Sequence, residues 1–90
     1  MKINKGFVLR KVCGENVITG EGLETINFGK LLSLNETAAW LWEEAGRQGD
    51  FTVDTLTEAL CQEYDVTAEV AHADVADIID RWQQSGIITI

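Results

Sequence analysis

Three positions in this chain are suited to start a helix, and all three fall after residue 34. Asn35, Thr52 and Thr67 each carry a side-chain oxygen that can accept from the free amides of a first helical turn. Glu36, Asp54 and Glu69 follow them and complement the positive helix end. The spacing predicts a helix from Glu36 to about Ala45, with Ala38, Leu41, Trp42 and Ala45 on its buried face, Gly46 as its stop and Gln48-Gly49-Asp50 as a loop. In the second helix Val53, Leu56, Leu60 and Tyr64 form the inner stripe, and Phe51 precedes the Thr52 cap as a hydrophobic staple on Leu56. In the third, Ala71, Val75, Ile78 and Trp82 run at four-three-four spacing, and Gly86 ends the helix. Ile87 to Ile90 is a short terminal strand or tail.

The residues before Asn35 read as strand. Phe7 to Val12 is β-prone, Gly14-Glu15-Asn16 is a turn cluster, and Val17-Ile18-Thr19 resumes the extended pattern, which makes a hairpin. Beyond Gly20-Glu21-Gly22, Thr25 to Phe28 and Leu31 to Leu34 flank Gly29-Lys30 as a second hairpin, with Leu23 to Phe28 either a strand or an irregular loop. Strands grouped ahead of helices indicate an α+β fold: an N-terminal antiparallel β-ribbon of two to three strands followed by three helices, winged-helix-like in outline. Residues 1–90 make one domain, and about 60 to 65% of the extended chain's surface is buried on folding.

Charge divides at the same boundary. Met1 to Leu34 holds five basic residues (Lys2, Lys5, Arg10, Lys11, Lys30) and three acidic ones, a net +2, whereas Asn35 to Ile90 holds Arg47 and Arg81 against twelve acidic residues, a net −10. Duplex binding needs several Lys or Arg against phosphates, so the helical part repels nucleic acid and no nucleic-acid partner is expected. The N-terminal residues lack the apolar stretch of a secretory signal, and no run approaches a membrane span of about 20 apolar residues. A cytoplasmic protein without a membrane partner is the expectation. Cys13 and Cys61 have no close Cys or His neighbour and are read as two buried thiols.

Reactive groups are scarce. His72 is the only histidine and reads as a surface residue. Asp74, Asp77 and Asp80 recur every three residues, but that step spreads them around the helix without the convergence a hard cation needs, and Asp77 with Arg81 forms an i, i+4 pair. Gly-rich phosphate loops, Gly-x-Ser-x-Gly and Cys-x-x-Cys are all missing. No cofactor, no metal and no catalysis are expected, and binding is the remaining role. Trp42 and Trp82 belong to the core; Trp40, about 200° around the helix from Trp42, either packs under the β-ribbon or anchors a contact.

The run Leu32-Ser33-Leu34-Asn35-Glu36-Thr37-Ala38-Ala39-Trp40-Leu41-Trp42, a strand leading directly into an Asn-capped helix, resembles the signature of the PqqD family. Val53 to Tyr64, then Asp74-Val75 and Ile78-Ile79 ahead of Ser85-Gly86-Ile87-Ile88, fit the family's later helices and its Gly-apolar end. Members are recognition modules that hold the leader of a ribosomally made precursor peptide and present it to a modifying enzyme, often a radical SAM enzyme. The resemblance implies that a leader adds as an antiparallel strand along Leu31, Leu32, Ser33 and Leu34, facing Ala71, Asp74, Val75 and Ile78 on the third helix. Backbone pairing would give affinity and side-chain pockets selectivity. Between Thr19 and Leu31 this chain is longer than shorter family members. The competing reading is a structural or regulatory module that covers the same edge by homodimerisation, since an exposed strand without proline invites pairing.

Overall fold

A computed structural model of the chain describes residues 1–20 and 32–90. Its elements are β1 (Lys2–Ile3), β2 (Phe7–Val12), β3 (Glu15–Gly20), β4 (Leu32–Leu34), α1 (Glu36–Gln48), α2 (Val53–Glu63), α3 (Ala68–Gln84) and β5 (Ile88–Thr89). The expected α+β order is therefore present, with strands first and three helices after them. Leu31 and the segment Leu23 to Phe28 lie outside the described residues.

β2, β3 and β4 form an antiparallel sheet in that order, with Val12 opposite Glu15, Ile18 opposite Leu32 and Asn16 opposite Leu34. The hairpin turn is Cys13-Gly14, one step earlier than the sequence cluster suggested. Both residues have positive φ, 52° and 81°, which a two-residue turn of type I′ needs to match strand twist. Cys13 is consequently exposed at the hairpin tip, which corrects the expectation of two buried thiols; Cys61 is half-buried and neither is bonded. Asparagine tolerates positive φ better than cysteine, so Cys13→Asn should stabilise the protein by about 0.5 kcal/mol. A thermal melt rising by a few degrees checks this, and an unchanged or lower midpoint argues against a strained Cys13.

All three caps form as the sequence predicts. Asn35 accepts from the Ala38 amide at 2.8 Å, and Thr67 from the Val70 amide at 3.3 Å. Thr52 and Thr55 cap reciprocally, at 3.0 and 2.9 Å. Phe51 and Leu56 are both fully buried, as a staple requires. Helix α1 runs three residues past Ala45 and ends at Gly49, whose φ is 77°. Gly46 does not stop it. A methyl group there would meet the Ile3 side chain at 3.8 Å, so this glycine sits where β1 crosses α1. At the end of α3 the Gly86 amide donates to Gln83 and the Ile87 amide to Trp82, a Schellman closure that turns the chain into β5. β5 then pairs with β1, Lys2 opposite Thr89 and Ile3 opposite Ile88.

Ile18 and Leu34 from the sheet join Leu41, Trp42, Leu56, Leu60, Val75, Trp82 and Ile88 in one core. Trp42 and Trp82 meet edge to face with centroids 5.3 Å apart, tying α1 to α3. Two stripe assignments change. Ile79, not Ile78, completes the buried row of α3, leaving Ile78 at the rim. Tyr64 caps α2 in an extended conformation and is 40% exposed, off the inner stripe. Trp40 is half-buried: it packs against the core, and its ring meets Tyr64 edge to face.

Candidate functional site

The hydrogen-bond phase of the sheet decides which backbone groups are free. A two-residue turn closes on a hydrogen-bonded pair, here Val12 with Glu15, and such pairs then alternate along the ladder. Arg10 with Val17 and Val8 with Thr19 are the next bonded pairs, so Asn16 and Ile18 turn their amides and carbonyls toward β4. Leu34 and Leu32 sit opposite them and are engaged. Ser33, opposite Val17, directs both its N–H and its C=O away from β3, along the outer edge of the sheet. β4 has no second strand partner among the described residues.

Beside that edge lies α3. Leu32, Ser33, Leu34, Asn35, Ala38, Ile78, Arg81 and Trp82 surround a pocket of about 90 Å³ between β4 and the helix. That is small against the roughly 300 Å³ at which sites for drug-sized ligands begin, and it suits a single side chain. Its walls are mixed: Leu34, Ala38 and Trp82, all buried, and the half-buried Leu32 and Ile78 give an apolar side, and Ser33, Asn35 and Arg81 a polar one. At the mouth, Arg81 is held by Asp77 at 3.0 Å, the pairing its sequence spacing predicts.

The candidate residues separate by position on α3. Asp74, Ile78 and Arg81 share one face at i, i+4 and i+7, and Val70, 53% exposed, extends it by a further turn. Ala71 and Val75 lie about 60° and 100° around the helix from Asp74 and are 1% and 0% exposed. They pack in the core and support the groove from beneath, so they offer an incoming chain no surface. Asn35, Ala38, Arg81 and Trp82 were absent from the sequence-derived set. By sequence each has another task, as cap, inner face, ion pair and core, and in the fold each also lines the pocket.

Other groups remain apart. His72 is exposed, with Nε2 3.8 Å from Asp54. Among the described residues no three His, Cys, Asp or Glu side chains gather as a metal site would require, and no helix is long and apolar enough to cross a membrane.

The fold and edge define a small α+β domain of a three-stranded sheet and three helices in which, among the described residues, one strand edge has no strand partner and lies beside the last long helix. The chain belongs to the family of coenzyme PQQ synthesis protein D (PqqD), whose family model matches residues 15–88. Two solved structures share its fold. One is TbiB1 in complex with the TbiA(beta) leader peptide, at 18% identity and a TM-score of 0.74, covering 97% of this chain and 93% of that one. The other is a lasso peptide synthetase B1 complexed with the leader peptide, at 17% identity and 0.74, covering 99% and 96%. A search of curated proteins finds no match.

Proposed function

We propose that this chain captures the leader of a ribosomally made precursor peptide as a strand added to β4 and presents it to a modifying enzyme. The observation that carries the reading is the outward N–H and C=O of Ser33 beside a part-apolar, part-polar pocket of single-side-chain size. Family membership supports it, as does a fold shared with two proteins described in complex with leader peptides. The chain contributes no catalysis in this reading. It acts in the cytoplasm, where precursors are synthesised, and a radical SAM enzyme is the partner type that the family resemblance favours.

Magnitudes say how far the peptide must run. Two backbone hydrogen bonds at about 1 kcal/mol each and one apolar side chain at about 2 kcal/mol give about 4 kcal/mol, a millimolar complex. Micromolar capture needs about 8 kcal/mol. The leader therefore continues along the outer face of α3, past Ile78 to Asp74 and Val70, where further contacts are on offer.

Calorimetric titration with a synthetic leader from a precursor encoded nearby tests this directly. The expected result is a one-to-one complex at micromolar affinity or tighter. A tight dimer in sedimentation, with no heat on adding leader, would instead assign the edge to a second copy. Asp74→Lys should weaken a leader that is basic at that point by about 3- to 10-fold, the range of a partly exposed charge pair and its reversal. Unchanged affinity removes Asp74 from the site.

A further inference from the structure

Trp40 stands about 200° around α1 from Ala38, on the side of the helix turned away from the β4–α3 groove. Its ring meets Tyr64 edge to face, with centroids 5.8 Å apart and planes at 81°. Tyr64 is 40% exposed and Val66, two residues further on, 38%. Glu43, Glu44, Arg47 and Glu63 line a shallow recess with Trp40. Within it Arg47 donates to the buried Glu44 carboxylate, which also accepts from Gln48 at 2.9 Å. The hydrogen bonds from Gln48 and Arg47 hold the Glu44 carboxyl below its ordinary range. Glu43 and Glu63 are exposed and pair with no cation among the described residues.

We propose that this face docks a lysine- or arginine-bearing surface of the enzyme to which the leader is presented. The inference rests on the leader-capture reading and adds a second interface to it. Tryptophan and tyrosine are the residues that most often anchor protein interfaces, and an indole face beside unpaired carboxylates attracts a cationic side chain. With Arg47 already bonded to Glu44, the three carboxylates and one guanidinium of the recess leave it net negative. Charge selects the occupant. A second copy would bring two net-negative faces together in an isologous contact, and nucleic acid would meet the −10 of the helical part. A basic protein surface meets neither obstacle. Because the face points away from β4, leader and enzyme can be held together.

Hexa-arginine serves as the probe, titrated into ¹⁵N-labelled protein. The Trp40 indole and the amides of residues 63–66 should shift. Glu43→Lys with Glu63→Lys should weaken this binding by about 10-fold or more, and Glu58→Lys with Asp80→Lys, the same charge change on other helix faces, by less than about 2-fold. All four positions are exposed, so melting midpoints should stay together. Equal weakening by both pairs, or shifts spread over the acidic residues of α3, would overturn the proposal. The same samples titrated with leader read Ser33 and Ile78. If leader moves Ser33 while hexa-arginine leaves Trp40 still, the docking face is wrong and leader capture stands. If leader leaves Ser33 unmoved, the enzyme falls as the occupant along with leader capture.

Discussion

Ser33→Pro should abolish leader binding while leaving the domain folded. The Ser33 amide points away from β3, so proline removes a donor that the β3–β4 ladder does not use. Proline is tolerated on edge strands where the missing N–H faces outward. An added strand would lose one of its hydrogen bonds and meet the pyrrolidine ring at the centre of a three-residue edge, so affinity should fall by about 30-fold or more. Leu34→Pro is the contrasting variant. Its amide bonds within the sheet and its side chain is buried, so that change should lower the melting midpoint whatever it does to binding. Calorimetry and thermal melts on the two variants separate the effects. Full leader affinity in a folded Ser33→Pro protein would remove β4 as the receiving edge.

Trp82→Ala should be the most destabilising single truncation in the helical layer. The side chain is almost wholly buried, packs edge to face on Trp42 and walls the β4–α3 pocket. Truncating a buried tryptophan costs about 3–5 kcal/mol, a large part of the roughly 5–15 kcal/mol that holds a domain folded. For 90 residues that is a fall in midpoint of about 15–30 °C. Trp40→Ala is the comparison. Half-buried against the core and Tyr64, it should cost about 2 kcal/mol. Denaturant titration of the two variants checks the ranking, and equal losses would contradict the distinction between a core and a surface tryptophan.

The contrast between these tryptophans also shows what the sequence could reveal. Signals confined to a few neighbouring residues were legible: Asn35, Thr52 and Thr67 cap as their side chains allow, and Gly86 closes α3. Signals that depend on distant chain were not. Gly46 resembles a stop because glycine so often follows a helix, yet Ile3 packs on it and the helix continues. The β1–β5 pairing joins residues more than eighty positions apart, two from each end, too few for periodicity to register. Cys13 is an unusual residue for positive φ, so residue type alone points to a turn one step later than the one that forms.

The site was legible through family resemblance more than through pattern. Leu32 to Leu34 form a strand with β3 as its one strand partner among the described residues, but only the register against β3 shows that Ser33 carries the outward groups. On α3 a rotation of about 60° separates residues that face the groove from residues beneath it. Ala71 and Val75 fall on the buried side of that line, and Arg81 on the open side. A stripe with four-three-four spacing fixes the buried direction no better than that, which is why Ile78 and Ile79 exchanged roles.

Amide hydrogen exchange at β4 tests leader capture most directly. In the free protein the Leu32 and Leu34 amides should be protected by β3 and the Ser33 amide should exchange freely. With saturating leader peptide, Ser33 should become protected as strongly as its neighbours. A Ser33 amide that exchanges at the same rate with and without bound leader would contradict strand addition at this edge.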